Sequence, residues 1–193
     1  METFVAEHEK TVEIEGAGEV STENKEIAML IAVLALMLAI TELLGNAAQV
    51  KTVQSNIEAS NLWSFYQAKA IRSTTLETAA AQLEADMVGV TDPKQKEARE
   101  ALLGKWKATI ARYESDPKSK EGREQIKERA IEAEHERDKA EHKHEKYEVA
   151  VGAFHIAIVL ASAAIISGIA LLAWVSGGLG FVGLINLLMG WLI

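Results

Sequence analysis

The histidines and the acids spaced around them are the residues of this sequence with the most to offer chemically. Glu132-x-x-His135 and Glu141-x-x-His144 carry the Glu-x-x-His spacing by which helical bundles hold a pair of iron or manganese ions. Both motifs fall on one predicted helix, and equivalent residues are nine apart. At about 100° per residue the two motifs point to opposite sides of that helix, so one chain cannot close a metal site from them. His142 and His144 diverge by about 200° in the same way. These residues read as solvated or interface histidines, and no metal is expected. Gly178-x-Gly180-x-x-Gly183 matches the dinucleotide fingerprint by letter. The fingerprint needs a preceding strand and a βαβ unit, whereas these glycines lie in an apolar run, where a tight turn and close helix packing explain them better. No serine or histidine stands where a base would activate a nucleophile. The chain has no Cys, which removes disulfides, thiolate metal sites and cysteine nucleophiles. Neither an enzyme nor a bound cofactor is expected.

The elements that must position these residues are set by how charge is distributed. Of 193 residues, Lys and Arg account for 20 and Asp and Glu for 28. Every one of them precedes Val149, and residues 149–193 carry none. A conventional soluble globule does not look like this. The net charge of −8 argues against nucleic acid, which needs a basic surface. Only two prolines occur, and Val and Ile are sparse outside the apolar runs, which favours helix over sheet.

Three apolar runs stand out: Ile27–Leu44, Val149–Trp174 and Leu179–Ile193. A spanning helix needs about 20 apolar residues. The first two runs qualify. The third is short, and either spans with local thinning or is re-entrant behind a turn at Ser176-Gly177-Gly178. The 26 residues up to the first run hold eight Glu and two Lys, unlike the basic start of a cleaved signal. They read as a flexible acidic tail. Arg137, Lys139, Lys143 and Lys146 flank the second run, and the positive-inside rule then places residues 45–148 in the cytoplasm. Trp174 and Trp191 are expected at opposite interfaces, as aromatic belts are.

The charged middle reads as a helical rod. Thr91-Asp92-Pro93 and Ser115-Asp116-Pro117 each put a capping residue before a proline suited to the first helical position. They divide the segment into helices over 47–90, 94–114 and 118–148. Leu76, Ala80, Leu83, Met87 and Val90 in the first, and Ala98, Leu102, Trp106, Ile110 and Tyr113 in the second, recur at helical spacing. The third is mostly charged, with Ile126, Ala130, Ile131 and Ala133 as a thin apolar stripe. The outgoing length of about 66 Å and the returning length of about 78 Å balance as an antiparallel hairpin.

Three stretches carry a family resemblance. AVLALMLAITELLGN, QSNIEASNLWSFYQAKAIRSTTLE, and the His-rich AEHKHEKYE leading into FHIAIVLASAAIISG are similar to the bacterial membrane-protein family of domain of unknown function 4337. Ala59 to Arg72 is the most specific part, around Trp63, Tyr66, Gln67, Ala68 and Lys69. The resemblance implies an acidic tail, a membrane helix, a long helical segment and a C-terminal membrane hairpin. It implies no reaction, cofactor or catalytic residue.

The expected fold is therefore an all-α integral membrane protein. It has a tail over 1–26, membrane helices over 27–46 and 149–175, a cytoplasmic coiled-coil-like hairpin over 47–148, and a short third membrane helix over 179–193. Three groups of residues are candidates for interaction. Ala28, Ala32, Ala35 and Ala39 form a small-residue stripe that suits close helix packing in a bilayer. Glu42 and His155 lie at matching depth in the first two spans. A lone carboxylate there costs about 2.5–3.5 kcal/mol, so it pairs with the histidine or snorkels to the headgroups. Leu62, Trp63, Phe65 and Tyr66 spread over more than one helix face, and are expected to pack on another chain, most simply a second copy; the alternative is a local core within the chain, closed by Ile126 to Ala133. The expected role is a scaffold or interaction protein of the bacterial inner membrane, self-assembling or docking onto a larger membrane complex. An oligomeric channel or transport accessory is the alternative.

Overall fold

The computed structural model describes residues 22–193; most of the acidic tail lies outside them. Four helices follow in order, α1 (Thr22–Asp86), α2 (Pro93–Glu114), α3 (Arg123–Ser167) and α4 (Ala170–Leu192), with no strand among the described residues. Three helices, α1, α3 and α4, are long and apolar enough to cross a membrane. The chain forms two compact units. One contains α1 up to Glu42, α3 from Glu148, and α4 up to Leu188; the other contains Leu43–Tyr147 and Met189–Ile193.

Asp92 and Pro93 act as their types suggest. The Asp92 carboxylate accepts the Lys94 N–H at 3.0 Å, and Pro93 takes the first helical position, where it has no N–H to lose. The second proline departs from expectation. Pro117–Lys120 form a turn, and α3 starts at Arg123 rather than near Lys118. Asp116 closes the turn, its carboxylate accepting the Ser119 N–H at 3.2 Å and its carbonyl the Lys120 N–H at 2.9 Å. Lys120 then adopts φ 58°. Gly122 lies so close to the Asp116 backbone that a Cβ would collide with it. Hydrogen bonds from Ser119, the side-chain one foremost, hold the Asp116 carboxyl below its ordinary range. Its contribution is therefore complete above that range and is lost as pH falls through the lowered value.

The apolar C-terminal segment is also divided elsewhere than expected. The turn sits at Gly168, with φ 69°, and Ser176-Gly177-Gly178 lie inside α4. The helix expected over 149–175 thus ends at Ser167, and α4 has 23 residues, enough to span. An apolar run conceals such a turn, because all its residues suit lipid. A glycine in a span is no reliable stop, since membrane helices tolerate glycine more readily than soluble ones.

In the first unit α3 presents a ladder of buried alanines, Ala150, Ala153, Ala157, Ala161 and Ala164, with Phe154 fully enclosed among them. α4 meets both other helices of this unit through glycine: a Cβ on Gly183 would stand 2.8–3.0 Å from the Phe154 ring of α3, and one on Gly180 2.7 Å from Leu34 Cδ2 of α1. Small residues let the backbones approach, and dispersion over that close contact is what holds helices together in lipid. In the second unit α1 pairs antiparallel with both returning helices. Lys107 reaches Glu84, and Arg99 donates to the Asp86 carbonyl, along α2. Trp63 meets Glu134, and His144 meets the Gly45 carbonyl, along α3.

Candidate functional site

The second unit holds the densest set of polar and aromatic groups. Ala59 and Leu62 from α1 and Ile126, Ala130 and Ala133 from α3 form its buried core, with Trp63, Phe65 and Tyr66 packed against it. Trp63 Nε1–H donates to Glu134 Oε1 at 2.9 Å, and the Trp63 and Tyr66 rings meet edge to face at 5.6 Å. Within the chain, α3 covers Leu62 and one side of the rings, while Trp63, Phe65 and Tyr66 stay half exposed. The alanines of the thin stripe bring the α3 backbone close enough for the rings to lie along it.

Lys69, 6% exposed, is the residue that sequence reasoning missed. Its ammonium donates to the Glu121 carbonyl, lies 3.8 Å from the Glu121 carboxylate, and sits 5.1 Å and 5.7 Å from the Phe65 and Tyr113 ring centres. A buried ammonium needs such partners, and they come from α1, α2 and the following turn. Nothing in the local sequence distinguishes it from a solvated lysine. Arg123 sits beside it in the fold. Its guanidinium donates to the Tyr66 hydroxyl at 3.1 Å and to Glu114 at 2.7 Å, and the Tyr66 hydrogen bond is the main cause raising its pKa. These contacts tie the α2–α3 turn to α1. They fix three helices together.

The first unit holds the other candidates. His155 Nε2 stands 3.8 Å from Glu42 Oε1, and both side chains are about half exposed. Thr41, beside Glu42, is fully buried and returns its hydroxyl to the Met37 carbonyl at 2.7 Å. Ser176 is buried likewise, donating to the Ala157 carbonyl of α3 at 2.7 Å. Ala28, Ala32, Ala35 and Ala39 are all exposed. In this unit the buried apolar or hydroxyl side chains of α1 are Leu34 and Thr41, on a different face. Gly178 has open space around it, so the three fingerprint glycines do not act as one motif.

The glutamate–histidine pairs remain apart. His144 Nδ1 lies 3.1 Å from the Gly45 carbonyl, His142 pairs with Glu145 at 3.4 Å, and His135 is exposed. Among the described residues no group of three or more His, Asp or Glu is placed to hold a metal. A model of the family Domain of unknown function (DUF4337) matches residues 23–193. No curated protein and no solved structure matches the chain.

Proposed function

This chain belongs to the DUF4337 family, a domain of unknown function, and on that premise we propose that it is a membrane-anchored helical scaffold, self-assembling or serving as a subunit of a larger membrane complex, without catalytic activity. The observation that carries the reading is the inversion of the first unit. Its interior is mostly alanine and glycine, with Phe154, Leu34, Leu187, Thr41 and Ser176, while many large apolar side chains such as Met29, Leu36, Trp174 (81% exposed) and Phe181 face outward. A surface of that kind belongs in lipid or against another apolar helix. The second unit supports the same reading, because its polar groups are spent on joining helices. We place the anchor in the bacterial inner membrane and the 45–148 segment in the cytoplasm, on the basic residues that precede Val149.

Native-mass measurement of the detergent-extracted full chain tests this. An oligomer or a stable complex with another membrane protein is expected, and a lone monomer would overturn it. Topology is tested separately with Ser119→Cys, on an exposed turn. In intact cells it should resist an impermeant thiol reagent and react once the membrane is opened; labelling from outside would reverse the orientation.

A second reading, an oligomeric channel or transport accessory, draws on Glu42 and His155. Ionisable groups half exposed on an apolar unit are expensive in lipid, and copies arranged around them would give them water. Reaction of Glu42→Cys with a water-borne reagent in the assembled particle would favour this reading over the scaffold.

A further inference from the structure

We propose that the outward face of α1 between Leu43 and Thr78 docks a second copy of this chain as a parallel, in-register, two-stranded coiled coil; this deepens the self-assembling scaffold reading and rests on it. In this stretch α1 carries two stripes. One, with Ala48, Ser55, Leu62 and Lys69 at seven-residue intervals, is buried under the returning helices. The other also keeps a seven-residue interval: Leu43, Val50, Ile57, Ser64, Ile71 and Thr78. Asn46, Val53, Ser60, Gln67 and Thr74 fall between them, which completes the 3–4 alternation of a coiled-coil seam over five heptads. At about 100° per residue the two stripes lie about 160° apart. Every member of the second is exposed, Val50, Val53 and Ile57 by more than half and Ile71 by 68%.

Charge argues for the occupant. From Leu43 to Thr78 the seam holds no ionised side chain and the positions flanking it hold one, Glu77; Lys51, Glu58 and Arg72 all fall just outside, one residue after a seam position, and Lys69 lies on the buried stripe. The whole chain carries −8, so two copies approach with least repulsion along this nearly uncharged strip. A strict seven-residue repeat stays in contact only with a helix that supercoils around it at the same period, and an identical helix satisfies that condition by construction. Copies anchored through the same apolar segment enter the bilayer in the same direction, which makes their α1 helices parallel and sets the stagger near zero. The β-branched Val50, Ile57 and Ile71 at the first seam position suit a two-stranded parallel pair. Asn46 within the seam meets its own copy at zero stagger, whereas a slip of one heptad sets it against Val53, which disfavours that register.

Absence of native cysteine makes disulfide mapping clean. Val50→Cys, Ile57→Cys and Ile71→Cys, each in the full chain in membranes, should form disulfide-linked dimers on mild oxidation at several-fold higher yield than Lys51→Cys and Glu58→Cys. The seam brings like residues within the roughly 3.5–4.5 Å Cβ separation that a disulfide requires, and the controls point away. Ile57→Lys with Ile71→Lys should reduce the cross-linking yield at Val50→Cys several-fold with helical content unchanged, since both side chains are exposed. Equal yields at seam and control positions, or no dimer at the seam in a particle that native mass shows to be oligomeric, would overturn this face and leave the scaffold standing. A monomeric particle would overturn both.

Discussion

Gly183→Leu should lower the melting temperature of the detergent-solubilised protein markedly and broaden its particle distribution, while Gly178→Leu leaves both unchanged. The two glycines sit five residues apart in one helix, and differ in what they face. A Cβ on Gly183 would come within 2.8–3.0 Å of three atoms of the Phe154 ring, closer than carbon atoms pack. Phe154 is 1% exposed and walled by the alanines of its own helix, so the ring has nowhere to turn. The remaining response is for α4 to move off α3. Overpacking of this kind typically costs about 1–3 kcal/mol, and more where nothing gives; in lipid the loss of close approach also removes the main attraction between the helices. Around Gly178 nothing lies within 4 Å, so a leucine there only adds to the outward apolar surface. Equal melting of the two variants would show that α3 and α4 do not meet at Gly183.

Trp63→Ala combined with Tyr66→Ala should destabilise the second unit by about 3–5 kcal/mol and leave the particle mass as it is. Truncating an enclosed aromatic costs about 3–5 kcal/mol. These rings are only half buried, so each contributes less, and their losses do not add simply because they touch. Trp63 also gives up its hydrogen bond to Glu134, and Tyr66 leaves the Arg123 guanidinium, 5.0 Å from its ring centre, without the ring and hydroxyl that hold it. Thermal unfolding followed by circular dichroism measures the loss, and native mass checks the assembly. A fall in particle mass with unchanged stability would mean that the rings face another chain after all.

Much of the architecture was legible in the residues. The three apolar runs separated from the charge, the Asp92-Pro93 helix start and the helical spacing of the middle are local properties, each decided within a few turns of backbone. The depth match of Glu42 and His155 was also open to simple counting at 1.5 Å per residue, and the two side chains stand 3.8 Å apart. Where the reading went astray, the local signal was degenerate. Ser115-Asp116-Pro117 looks like a second helix cap, but Asp116 closes a turn instead, because Gly122 lets the chain fold back upon it. The Ser176-Gly177-Gly178 triplet looks like a turn, but sits in α4 with the Ser176 hydroxyl tied to Ala157.

Sequence by itself determined which segments are apolar, which are charged and that nearly all are helical, because composition and period act through short-range physics. It also held both seven-residue stripes of α1 in plain view. Only the tertiary structure decided which stripe the chain covers for itself, since that depends on where the α3 alanines come to lie. It decided in the same way that Lys69 is buried and that Ala28, Ala32, Ala35 and Ala39 are not, and that Gly183 rather than Gly178 is the close contact. A residue's type limits what it can pack against; which partner arrives is set by the pairing of helices distant in the chain.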